Sequence, residues 1–143
     1  MKTLLVGILM ISTCAVGYSI GHLTAAQQSP KQTMLLTDDM SSLPAKEARM
    51  WITEIPPGGQ TPKHRHPGDV LAYVLEGSVL HTVEGKKPVT YSAGQAFHET
   101  GEVHWAINPS QTVPLKILAV QIADKGQPLT VPQKMTNAAG GTP

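Results

Sequence analysis

The chain has 143 residues, a formal net charge of +1 and a single cysteine. Balanced charge and few aromatic residues exclude a nucleic-acid platform, which needs a basic stripe or stacking rings. One cysteine excludes an internal disulfide framework, and the length suits one small domain around one core.

Residues 1–26 read as a secretory signal. Lys2 supplies the positive start, Leu4 to Val16 an apolar run, and Thr24-Ala25-Ala26 the small residues of a cleavage site. Cleavage there removes Lys2 and Cys14 and leaves a formally neutral chain of 117 residues. The expected location is the periplasm or the exterior of the cell. An uncleaved anchor is the alternative, because apolar character stretches toward Ile20, near the lower limit for a membrane span. The protein meets a membrane only in that case. Ile11-Ser12-Thr13-Cys14 is a poor lipobox, with Thr where a small apolar residue is usual.

Residues 27–45 are polar and read as a linker with one short strand around Met34 to Thr37. Residues 46–132 then carry a run of short β-type segments divided by turn residues. Ala48 to Ile55 is a strand ended by Pro56-Pro57-Gly58-Gly59. Val70 to Leu75 and Ser78 to Val83 flank Glu76-Gly77, and Val89 to Tyr91 precedes Ser92-Ala93-Gly94. Ala96 to Glu99 and Val103 to Ile107 bracket Thr100-Gly101. Val113 to Ile122 is the longest apolar run after the signal and lacks helix caps. Leu129-Thr130-Val131 reads as an edge strand, and residues 133–143 as a disordered tail. Strands at this spacing predict an all-β barrel or sandwich. An open edge of such a sheet asks to be paired or covered, so a homodimer is expected.

The chemistry concentrates between Gly58 and Gly77. His64 and His66 are separated by one residue, so in extended backbone they share a face and Arg65 takes the other. Two imidazoles on one face can share a metal ion. The alternative is a pair of surface histidines in a turn.

Gly58, five residues, His64-Arg65-His66 and the closing Gly77 resemble the first signature of the cupin superfamily. Gly94 to Asn108, with His104, three residues and Asn108, resembles the second. The resemblance covers roughly residues 48–123 and implies a small antiparallel β-barrel of the jelly-roll type. It implies a metal site built from His64, His66 and His104. Three imidazoles suit Zn, Fe, Ni or Cu better than Mg or Ca. One departure stands out: the carboxylate of the first signature falls at Val70, which cannot bind metal, and Asp69 faces the other way.

Glu99 is the candidate replacement acid, as ligand or general base, or else a solvated rim carboxylate. Phe97 and Glu99 share a face, and alternation alone does not say which face looks inward. Tyr73 is a candidate catalytic donor and Trp105 a pocket wall, or else both are plain barrel packing. Asn108 either supports His104 from behind or orders a loop. His81 and His98 read as surface strand residues, and Glu102 as a solvent-facing turn residue. The resemblance implies a metal-dependent enzyme acting on a small organic molecule, such as a dioxygenase, isomerase or decarboxylase. The alternative is a non-catalytic protein binding a small molecule or metal, which the missing acid at Val70 favours.

Overall fold

The computed structural model describes residues 28–133. The expected signal segment, Gln27 and the residues from 134 onward lie outside the described residues. Ten strands follow in order: β1 Lys31–Asp39, β2 Lys46–Ile55, β3 His64–Arg65, β4 Asp69–Glu76, β5 Ser78–Val83, β6 Val89–Ser92, β7 Ala96–Glu99, β8 His104–Ile107, β9 Leu115–Asp124 and β10 Val131–Pro132. None of the described residues is helical. The all-β expectation holds, and most strand limits fall within two residues of those read from turn chemistry.

The strands form two five-stranded antiparallel sheets that face each other as a small barrel. One has the order β1-β2-β9-β4-β7, the other β10-β3-β8-β5-β6. The first is built from long strands whose side chains alternate strictly. In β2, Arg49, Trp51, Thr53 and Ile55 are buried; in β4, Val70, Ala72 and Val74; in β9, Leu115, Ile117, Ala119, Gln121 and Ala123. Directly opposed residues of an antiparallel pair share a face. The buried rows therefore run across strands, as Trp51, Ala119 and Ala72 do, or Thr53, Ile117 and Val74.

Ile55, Val74, Val79, Phe97, Leu115 and Ile117 are the large members of the main core cluster. Each contributes on the order of 1.5–3 kcal/mol through burial. A smaller cluster of Trp51, Val70 and Ala119, capped by Leu129, lies beside the histidines.

β1 is longer than the four residues read from sequence, because β2 offers it a partner along its whole length. The pairing runs from Lys31 opposite Glu54 to Asp39 opposite Glu47, with a bulge between Met34 and Leu36. All of β1 remains exposed. Gly68 and Gly77 bracket β4 at positive φ, of 90° and 76°. A Cβ at Gly68 would strike the Ile122 carbonyl, and one at Gly77 the Pro114 carbonyl. Both glycines let β4 enter and leave its place beside β9, and Gly68 does so two residues after His66.

Candidate metal centre

Register explains how distant histidines meet. His64 of β3 lies directly opposite His104 of β8. His66, just past β3, returns to the inward side, while Arg65 between them is exposed. His66 and His104 are buried and His64 is half-buried. Their rings pack at centroid distances of 4.9 Å (His64–His66), 4.5 Å (His64–His104) and 5.3 Å (His66–His104). One ligand atom from each lies within 4.8 Å of the other two.

Each of these rings is fixed from behind by a backbone carbonyl. Nδ1 of His64 donates to Pro62 O at 2.8 Å, Nδ1 of His66 to Leu129 O at 2.7 Å, and Nδ1 of His104 to Glu102 O at 2.8 Å. A carbonyl only accepts, so Nδ1 carries the proton and a neutral ring keeps its lone pair on Nε2. This is the arrangement that orients metal-binding imidazoles.

Glu99 enters from the other sheet. It sits opposite Val70 in the β4–β7 register, so it shares Val70's inward face. The acid absent at Val70 is thus present one strand away. Glu99 Oε2 is 3.4 Å from His66 Nε2, and Oε1 is 3.2 Å from His104 Nε2 and 3.3 Å from His81 Nε2. The rim placement weighed for Glu99 is corrected: its side chain is 10% exposed.

Charge in the cluster follows from these contacts. Burial lowers the pKa of His64 to about 4 and lowers that of His66 as well, so both are neutral at neutral pH. Burial also opposes ionisation of His104, but the adjacent Glu99 carboxylate more than offsets it and raises the pKa. Burial alone would raise Glu99. The contacts from His104 and His81 outweigh it and hold the acid ionised, well below the usual carboxylate range.

Of the other expectations, those for His81 and Tyr73 are corrected, while His98 and Glu102 are exposed as expected. His81 is buried and inward: it lies opposite Ala106, which shares the inner face with His104. Its ring is 5.3 Å from that of His104 and 4.8 Å from that of Phe97. Tyr73 is 44% exposed on the outer face of β4, away from the histidines, so it is not placed for catalysis. Trp105 points opposite to His104 and walls an outer groove, where Lys63 Nζ sits 4.6 Å from its ring centre. Trp51 is the aromatic residue beside the site, 5.7 Å from the His66 ring, and the sequence reading had not singled it out. Asn108 makes no hydrogen bond to His104. Its Nδ2 donates to the carbonyls of Ile55, Pro56 and Val113, and its Oδ1 accepts from Ser110 N, which staples a loop. His98 is exposed and pairs with Asp69. Glu102 keeps an outward carboxylate, paired with Lys86, and serves the site through its carbonyl.

The cluster borders a small interior void of about 40 Å³, lined by Trp51, Thr53, Glu99 and His104 among others. Gln32, Thr53, Thr61 and His64 line both this void and a wider mouth of about 470 Å³. His64 therefore stands between the interior and a space large enough for a small molecule.

The family model of the cupin domain matches residues 51–121. A cupin-like protein of Thermotoga maritima is 19% identical, with a TM-score of 0.59 over 73% of this chain and 75% of its own. A cupin domain of Bordetella pertussis is 24% identical, with a TM-score of 0.53 over 67% of this chain and 95% of its own. A cupin-2 domain of Rhodospirillum rubrum is 16% identical, with a TM-score of 0.59 over 76% of this chain and 68% of its own. At these identities the likeness speaks for the fold. No curated protein matches the sequence.

Proposed function

Because this chain belongs to the cupin superfamily, we propose that it is an exported metalloprotein that binds a divalent transition metal at His64, His66 and His104 and acts on a small organic molecule. The observation that carries this is the locking of all three Nδ1 atoms by backbone carbonyls, which leaves three Nε2 atoms facing one another. His104 Nε2 is buried and makes no well-aligned hydrogen bond, with Glu99 Oε1 3.2 Å away as its polar neighbour, an arrangement open to a metal between them. The residues present therefore fit the ion.

A bound ion supplies Lewis-acid or oxygen-activating chemistry of the dioxygenase, isomerase or decarboxylase kind. The chain's own residues do the rest. The mouth beside His64 receives the molecule, and Gln32, Gln60 and Thr61 offer it neutral hydrogen-bonding groups. The interior void is too small to take it whole, so it meets the site end-on from the mouth. Glu99, held ionised, is placed to accept a proton beside His66 and His104. Trp51 and Phe97 keep the inner wall apolar.

Metal content decides this reading. Protein purified from its native host without chelator should carry stoichiometric Zn, Fe, Ni or Cu, and His104→Ala should abolish it while circular dichroism stays unchanged. Protein that carries none, and whose melting temperature none of these ions shifts, ends the proposal. Export rests on the signal-like start, and a mature N-terminus at Ala26 or Gln27 by mass spectrometry checks it. Pairing of two copies rests on the open edges of the long-stranded sheet at β1 and β7. Light scattering that reports only monomer at micromolar concentration refutes it.

A further inference from the structure

The three-histidine group leaves two buried donors unused, His81 and Glu99. Together with His104 they form a second set whose ligand atoms also lie within 4.8 Å of one another. We propose that His81, Glu99 and His104 are a second, deeper metal seat that shares His104 with the three-histidine seat, so that a single divalent ion occupies one position or the other. The proposal meets the reading above at His104, which both seats use, and at Glu99, which is a ligand when the inner seat is filled and a proton acceptor when the outer one is.

Three observations support it. First, Glu99 Oε1 lies 3.3 Å from His81 Nε2 and 3.2 Å from His104 Nε2. Two ligands bound to one ion at 2.0–2.2 Å stand roughly 3–3.5 Å apart. Second, both nitrogens are buried and neither has an aligned hydrogen bond, despite the nearby carboxylate. A buried nitrogen without a partner costs about 1–3 kcal/mol, and an ion seated among the three side chains would satisfy both at once. Third, the set is drawn from both sheets, two donors from the paired strands β5 and β8 and one from β7 across the barrel. His81 comes from β5, His104 from β8 and Glu99 from β7 of the opposite sheet. The three donors converge because barrel closure brings the two sheets together, and no local sequence pattern places them.

The two seats differ in chemistry. The outer one offers three imidazoles, which suit Zn or Cu. The inner one offers two imidazoles and a carboxylate, the donor set of non-haem Fe(II) sites. His104 cannot serve both at once, because its single free nitrogen points to one ion at a time. Occupancy of the two seats is therefore mutually exclusive. Glu99, with Oε2 toward His66 and Oε1 toward His81 and His104, spans the boundary between them.

Cobalt(II) is the probe, read by its visible ligand-field bands and by stoichiometry in the full chain. In a His64→Gln/His66→Gln double variant the outer seat is gone, and about one equivalent should still bind. Adding His81→Ala should weaken that binding about tenfold or more. A double variant that is folded by circular dichroism yet binds no better than the triple overturns the proposal. His81→Ala alone gives a second reading that does not depend on the double variant folding. It should remove one component of the wild-type cobalt spectrum and leave about one equivalent bound, and an unchanged spectrum overturns the inner seat. Failure of the inner seat alone leaves one equivalent on the wild type that the His64→Gln/His66→Gln variant loses, whereas failure of the three-histidine reading alone leaves one equivalent that this variant keeps at unchanged affinity and His81→Ala loses.

Discussion

The two sheets share one barrel but are built differently. β2, β4 and β9 run eight to ten residues each and pair along almost their whole length. In the other sheet β3, β8 and β10 have two to four residues, and β3 meets β8 through a single registered pair, His64 with His104. Yet the short-stranded sheet carries or adjoins every histidine of the site, while the only candidate ligand from the long one is Glu99. Long ladders hold a scaffold, and short ones leave backbone free to aim side chains. In this chain the aiming falls to loop carbonyls at Pro62, Glu102 and Leu129 in place of ladder bonds.

That division makes stability and metal binding separable. The largest stability effect should come from the scaffold: Leu115→Ala, at a fully buried position, should cost about 2–5 kcal/mol. Urea unfolding reads this, and refolded variant should still bind metal. Asn108→Ala comes next. It removes the Nδ2 donor shared by the carbonyls of Ile55, Pro56 and Val113, of which Pro56 keeps Gly59 N, and should cost about 1–3 kcal/mol. Metal affinity should not move, because Asn108 does not touch His104. A drop in affinity with no drop in stability would show that the loop aims the ligand after all.

A smaller effect should appear with pH in the metal-free protein. His64 has an ordinary value of 6.5 when unfolded and about 4 when folded, so between those values the unfolded chain binds more protons. Its contribution is full above pH 6.5 and is lost as pH falls toward 4. His66, also lowered, acts in the same direction. His104, raised, acts against them: its contribution is full below 6.5 and is lost as pH rises through its folded value. Urea midpoints at pH 7 and pH 5 should therefore differ less in His64→Gln than in the wild type. Smallest of all is Tyr73→Phe. On the exposed outer face it should change stability by less than about 0.5 kcal/mol and leave metal binding and turnover untouched.

Much of this architecture is legible in the sequence because strands and turns are local. Gly58-Gly59, Gly77, Gly94 and Gly101 mark turns by their chemistry, and the shared face of Phe97 and Glu99 follows from alternation. Parity also contained two corrections. If His104 points inward, Trp105 beside it points out, and if Val70 points inward, Tyr73, an odd three residues on, points out as well. What alternation cannot supply is register between strands far apart in the chain. That Val70 faces Glu99, and that His81 lies beside Ala106 on the inner face, are facts of pairing across 29 and 25 positions. The relocated acid and the buried fourth histidine therefore appear only in three dimensions.

The hydrogen bond from His66 to the Leu129 carbonyl also has a temporal meaning. Its partners are 63 residues apart, and Leu129 follows all three histidines in the chain, near the end of the described residues. During synthesis all three histidines emerge before the group that orients His66 exists. A nascent or C-terminally clipped chain would hold the right ligands with one ring free to turn. Such a chain would take up metal loosely and give it back readily, and the final segment would convert a provisional catch into a held ion.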